Sequence, residues 1–213
     1  MSKKRLLCFG DSYTWGYIPG SNHERFSEDI RYPKALQKLL GNNFEVIEEG
    51  LNSRTLISDD KRPGKEGRNG SAYLIPCLDT HDPLDLVIIM LGTNELKDVY
   101  NNTPEKIAEL LEEHFVKVII SRKSQFQDKY PQLIIVSLPL IDETTEYAAA
   151  RYLGGTEKSK KLSALYQEIA KRNNCYFVDG SELTVGVDGV HLIAESQIKL
   201  AEMLQREITE INL

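Results

Sequence analysis

Leu86-Val87-Ile88-Ile89-Met90-Leu91 is apolar at every position. A strand with one face in water alternates apolar and polar residues, so an unbroken run predicts a strand covered on both faces, as in a parallel sheet flanked by helices. Leu133-Ile134-Ile135-Val136 repeats the pattern. Working outward, the apolar runs predict strands over Arg5–Phe9, Phe44–Glu48, Leu84–Leu91, Leu133–Leu138 and Tyr176–Val178. Between them run helical stripes. Thr103 and Pro104 are a cap and a first-turn proline ahead of Ile107, Leu110, Leu111, Phe115, Val118 and Ile119. Leu162, Leu165, Tyr166 and Ile169 form a second stripe, and Ile198, Ala201, Leu204, Ile208 and Ile211 a third. Weaker helical patterns cover Tyr32–Leu40 and Ser71–His81. Alternating strands and helices predict an α/β fold, a three-layer α/β/α sandwich on a five-stranded parallel sheet, flavodoxin-like in outline.

The 213 residues carry 26 Lys+Arg against 32 Asp+Glu, a net charge of −6. That balance argues against nucleic acid as the main partner and against an anionic membrane surface, since both are bound chiefly through Lys and Arg. The length suits one domain over residues 1–213. The apolar stretch behind Lys3, Lys4 and Arg5 is too short for a signal sequence, and Cys8, Cys77 and Cys175 lie among apolar neighbours. The expectation is a cytoplasmic protein with reduced thiols. Gly64-Lys65-Glu66 lacks the Ser/Thr of a phosphate-binding loop, and Asp188-x-x-His191 has too few ligands for a metal, so neither a cofactor nor a metal is expected. Three polar stretches, Tyr17–Arg31, Ser58–Asn69 and Asp142–Thr156, exceed ordinary connection lengths.

Ligands of an open parallel sheet sit beyond the carboxyl ends of its strands. There the sequence places Gly10-Asp11-Ser12-Tyr13-Thr14, Gly50-Leu51-Asn52-Ser53-Arg54-Thr55, Gly92-Thr93-Asn94-Glu95 and Asp188-Gly189-Val190-His191. Any one of these would pass as a turn; together they supply complementary chemistry. A serine hydroxyl needs a base, which His191 can be, and Asp188 three residues earlier can orient the imidazole. Ser12 opens a helix after a strand, so its N–H is free to bind a developing oxyanion, with Ser53 N–H and the Asn94 amide as further donors. The same loop can instead be read as cradling an FMN phosphate in an electron carrier, and the whole as a non-catalytic binding module. The flavin reading leaves Asp188 and His191 unexplained.

Gly10-Asp11-Ser12, Gly92-Thr93-Asn94 and Asp188-x-x-His191 resemble the SGNH (GDSL-type) hydrolases over the whole chain, and the flanking Leu7–Ser12 and Leu84–Asn94 look like the bacterial arylesterase/acyltransferase branch. The resemblance implies Ser12 as nucleophile, Asp188 and His191 as its partners, and an oxyanion hole of Ser12, Ser53 and Asn94. It implies a small-molecule ester as substrate, water or alcohol as acyl acceptor, and self-association. Tyr13 stands where the GDSL name has Leu, and Ser53 where the family commonly has Gly. Tyr13, Trp15, Thr93 and Val190 are expected at the substrate, with Trp15 and Tyr17 excluding water.

Overall fold

The computed structural model describes residues 3–211 and 213. Five parallel strands, β1 (Lys4–Gly10), β2 (Phe44–Gly50), β3 (Leu86–Met90), β4 (Gln132–Val136) and β5 (Tyr176–Val178), form one sheet in the order β2-β1-β3-β4-β5. The α/β sandwich expected from the apolar runs is the fold observed. In β3 no residue exceeds 1% exposure, which is the two-sided burial that its sequence demands. Each such side chain contributes roughly 1.5–3 kcal/mol of transfer free energy.

The helices are α1 (Ser12–Trp15), α2 (Tyr32–Leu40), α3 (Gly70–Thr80), α4 (Pro104–Leu111), α5 (Lys117–Ser121), α6 (Glu146–Ala149), α7 (Gly155–Arg172) and α8 (Ala194–Glu210). Pairing of α2 with α8, and of α4 with α7, builds the helical layers. The stripe from Ile107 to Ile119 is not one regular helix, because a π-turn over Glu112–Val116 separates α4 from α5. Glu112 there accepts from Arg172 Nε at 2.7 Å and from Asn173 Nδ2 at 2.8 Å, tying the turn to the end of α7. The stretch expected to be loop from Asp142 to Thr156 contains α6, capped by Thr145 Oγ1 accepting from Ala148 N–H, and the first turn of α7.

The sheet order changes direction at β1, whose successors lie on opposite sides of it. Chains leaving β1 and β3 therefore part at a crevice, with Ser12 on one lip and Asn94 on the other. Two glycines allow the close approach this needs. A Cβ on Gly10 would lie 2.1 Å from Thr14 Oγ1 and 2.7 Å from the Met90 carbonyl oxygen; one on Gly50 would lie 2.2 Å from Trp15 N. Because the Gly50 clash is with backbone, relief requires α1 itself to move. Gly50→Ala should cost about 1–3 kcal/mol and lower Tm by roughly 4–10 °C in a thermal melt; an unchanged Tm would show that α1 is not held against β2 as described.

Candidate active site

Asp11 closes β1 and caps α1: its Oδ1 accepts the Tyr13 N–H at 3.0 Å, which turns the chain sharply and leaves Ser12 as the first helical residue. Burial pushes the Asp11 carboxyl up to about 6, against the Tyr13 N–H and the nearby positive groups that favour its charge. Ser12 lies 179 residues from His191, yet its Oγ is 3.1 Å from His191 Nε2. His191 Nδ1 is 2.7 Å from Asp188 Oδ2. Asp188 also accepts from Val190 N–H at 3.0 Å and His191 N–H at 2.9 Å on Oδ1, and from Gly20 N–H at 3.1 Å on Oδ2. Burial alone would raise its carboxyl, but His191 and these N–H groups hold it down to about 2. A hydroxyl bonded to an imidazole whose far nitrogen is held by a carboxylate is arranged to pass its proton from oxygen to nitrogen.

The turn that carries Asp188 and His191 is itself fixed. Gly189 has φ +71°, and a Cβ there would meet the Asp142 carbonyl oxygen at 2.2 Å. Asp142 N–H donates to the Gly189 carbonyl at 2.8 Å and Thr145 Oγ1 to that of Asp188 at 3.0 Å.

Ser53 has φ +66°. It is the third residue of a β-turn closed by Arg54 N–H to the Leu51 carbonyl at 2.9 Å, the place where a type II turn requires positive φ. A serine therefore adopts the conformation for which glycine is favoured. Among the described residues neither the Ser12 N–H nor the Ser53 N–H donates to a protein acceptor. Asn94 follows β3, is 5% exposed, and donates from Nδ2 to the Arg54 carbonyl at 2.9 Å; its other Nδ2 contact, to Asp11 Oδ2, is long at 3.5 Å.

Four residues, Tyr13, Trp15, Thr93 and Val190, are expected at the substrate. Tyr13, Thr93 and Val190 are at most 2% exposed. The short helix α1 turns Tyr13 inward, where its hydroxyl donates to the Val190 carbonyl at 2.9 Å, and Trp15 lies beneath the Arg25 guanidinium, 5.2 Å from the ring centre. None of the four lines the cavity that His191 borders or the larger one adjoining it. One cavity, of about 590 Å³, is walled by Tyr17, Gly20, Tyr147, Val187, Asp188 and His191; the other, of about 1040 Å³, reaches Lys97, Arg62 and Tyr100 and shares Tyr147, Ala150 and Arg151 with the first. The three long polar stretches, where no periodicity marks which side chains point inward, supply walls together with residues 97–100 and 187–191.

Tyr17, expected only to exclude water, is one of several supports of the site, and Arg54 and Glu95 carry no sequence signal for the contacts they make. The Tyr17 ring lies over the imidazole of His191 with centroids 4.3 Å apart, and its hydroxyl donates to the Ser21 carbonyl at 2.8 Å. Arg54 lies 4.2 Å over the Phe9 ring and donates to the Gly10 carbonyl at 2.8 Å, clamping the ends of β1 and β2 together with a bond to the Glu49 carbonyl. Glu95 is fully buried, accepts the Leu56 N–H, and is pushed up to about 8 by burial, so it is held as the neutral acid at pH 7. Lys97 sits three residues after Asn94, the one sequence signal among these.

Among the described residues one group with metal-ligand chemistry, Glu49, Cys77 and His81, has donor atoms within 4.8 Å of one another. Glu49 Oε1 is already paired with His81 Nε2 at 2.9 Å, and burial pushes the Cys77 thiol up to about 12, so it keeps its proton. Cys8 and Cys77 are buried and Cys175 half-buried, all three unbonded. No helix of the described residues is long and apolar enough to cross a membrane.

Residues 8–197 match the GDSL-like lipase/acylhydrolase family. A solved carbohydrate acetylesterase from Sinorhizobium meliloti, Est24, is 36% identical, with TM-score 0.89 over 98% of this chain and 100% of that one. An aryl esterase from M. smegmatis is 38% identical, with TM-score 0.88 over 97% of this chain and 99% of that one. A lipase/acylhydrolase from Enterococcus faecalis, at 19% identity and TM-score 0.66, shares the fold. No curated protein matches the chain.

An aromatic face favours an imidazolium over a neutral imidazole by about 1 kcal/mol. Replacing the ring by an aliphatic side chain, Tyr17→Leu, should lower kcat for p-nitrophenyl acetate roughly three- to tenfold, whereas Tyr17→Phe stays within about twofold. Equal losses in both variants would assign the effect to the hydroxyl and its bond to Ser21 instead.

Proposed function

The chain belongs to the GDSL-like lipase/acylhydrolase family, and from that premise we propose that it cleaves small carboxylic esters through an acyl-enzyme on Ser12. The observation that carries the proposal is the continuous hydrogen-bond path from Ser12 Oγ through His191 to Asp188, at 3.1 Å and 2.7 Å. Ser12 Oγ attacks the ester carbonyl carbon as His191 Nε2 takes its proton. The carbonyl oxygen, now an anion, is met by the N–H groups of Ser12 and Ser53 and by Asn94 Nδ2. Asp188, ionised throughout the neutral range, stabilises the imidazolium. Collapse breaks the bond to the alcohol oxygen, which leaves with the proton from His191. Water then attacks the acyl group on Ser12, His191 removing its proton, and the second collapse frees the acid and restores the hydroxyl.

The substrate proposed is an ester of a short acyl group, acetate foremost, in keeping with the carbohydrate acetylesterase and aryl esterase that the chain is similar to. Acyl transfer to a small alcohol is a second reading of the same site. It is favoured by Tyr17 over His191 and by Tyr147, 6.4 Å from the imidazole, which leave the His191 side chain 11% exposed and screen the acyl-enzyme from bulk water.

Hydrolysis of p-nitrophenyl acetate by wild type should fall by several orders of magnitude in Ser12→Ala, by roughly 10⁴-fold in Asp188→Asn, and by roughly 10²–10³-fold in kcat in Asn94→Ala. Equal activity in wild type and Ser12→Ala would overturn the nucleophile. A transfer product that grows with added alcohol is expected on the second reading; unchanged hydrolysis with no such product would remove it.

A further inference from the structure

Asn94 is useful to an oxyanion only if its amide presents nitrogen, not oxygen, toward Ser12, and only if that nitrogen has a hydrogen to spare. Of the two hydrogens on Nδ2, one is taken by the Arg54 carbonyl at 2.9 Å. The other has only the long contact to Asp11 Oδ2, 3.5 Å away, beside Ser12 in the chain. On the opposite end of the amide, Lys97 Nζ lies 2.6 Å from Asn94 Oδ1. An ammonium carries three donors and no acceptor, so it can face only the oxygen.

We infer that Lys97 is a positioning residue for the oxyanion site: its ammonium holds the Asn94 amide by the oxygen and, by drawing electron density toward that oxygen, strengthens the Nδ2–H as a donor to the oxyanion. The inference rests on the reading of Ser12 and Asn94 given above. The local chain sets the contact. Asn94 and Lys97 span a 3₁₀ turn, with Lys97 N–H donating to the Asn94 carbonyl at 3.3 Å, so the lysine side chain returns over the asparagine rather than extending into solvent. The bond is charge-assisted and roughly twice as strong as a neutral one. It also becomes more favourable as negative charge develops on the substrate oxygen, because the positive end of the Lys97–Asn94 chain points toward that charge.

The charge on Lys97 is itself set by its surroundings. Burial and the Arg62 guanidinium lower its ammonium to about 8, while Asp60, Asp11 and Glu95 act the other way. Asp60, itself paired with Arg62, and Asp11 face the ammonium as anions, and Glu95, pushed up to about 8 by burial, gains its charge over the same pH range, so the Lys97 variants separate the lysine's part of any step from that of Glu95. As pH rises through about 8 the ammonium loses its proton and the Asn94 oxygen loses its charged partner, so kcat should step down there to a lower plateau. Lys97→Arg keeps the charge and should remove the step.

The test is a double-mutant cycle in kcat, with folding of each variant checked by circular dichroism and Tm. Lys97→Met should lower kcat for p-nitrophenyl acetate about tenfold with KM little changed, Lys97→Arg should restore most of it, and in an Asn94→Ala background Lys97→Met should change kcat by less than about twofold. The step near pH 8 should be present in wild type and absent from both Lys97 variants. A Lys97→Met loss that is equally large without Asn94, or that falls on KM alone, would overturn the inference and make Lys97 a substrate contact from the larger cavity. If Ser12→Ala and Asn94→Ala are impaired while Lys97→Met is fully active, the inference fails and the esterase reading stands. If Asn94→Ala is fully active, the Asn94 reading fails and the inference with it.

Discussion

Four N–H groups converge on the buried carboxylate of Asp188, two on each oxygen. An ionised carboxylate in a nearly dry environment is costly unless its acceptor sites are filled. Here the fillers come from two parts of the chain far apart in sequence: Val190 and His191 from the carboxylate's own turn, and Gly20 from the long segment after α1. The carboxylate thus does more than orient one imidazole. It draws the 17–31 segment against the 188–191 turn, and that segment brings the Tyr17 ring over the His191 imidazole. Loss of the charge would release the ring stack and the imidazole together.

The other half of the site is organised by a second set of buried polar groups. Asp11, Arg54, Asn94, Glu95 and Lys97 occupy the region where β1, β2 and β3 end. Their charges are unequal in kind: Glu95 is neutral at pH 7, Asp11 is lifted to about 6, and Arg54 spends its donors on the strand-end carbonyls of Gly10 and Glu49. Such a network sets the cations Arg54 and Lys97 and the anion Asp11 within one polar cluster around the Asn94 amide, in keeping with the oxyanion site proposed above. The positive-φ turn at Ser53 belongs to the same network, since Arg54, its last residue, presents its carbonyl to Asn94 and its guanidinium to the Gly10 carbonyl.

What was legible in the sequence follows from how strongly each feature is dictated locally. Two-sided burial leaves no choice but an unbroken apolar run, so β3 and β4 were plain. Strand ends in a parallel sheet share one edge, and this alone gathers Ser12, Asn94 and the Asp188–His191 turn. The weaker helical pattern over Tyr32–Leu40 coincides with α2, which has Pro33 in its first turn and ends at Gly41. The inward direction of Tyr13, expected at the substrate, depends on the pitch of a four-residue helix, which no periodicity reports. Tyr17, Gly20, Tyr147 and Arg151 lie in polar stretches where the side-chain direction is fixed by tertiary contacts alone. The π-turn at Glu112–Val116 likewise answers to Arg172 and Asn173, sixty residues further on.

The central claim is that His191, held by Asp188, makes Ser12 an activated hydroxyl. It is tested most directly by treating the protein with a serine-directed phosphonate and mapping the adduct by mass spectrometry. The account predicts a single adduct per chain, on the peptide carrying Ser12, formed rapidly in wild type and lost in His191→Ala. An adduct at another serine, or labelling of Ser12 at the same rate without His191, would contradict it.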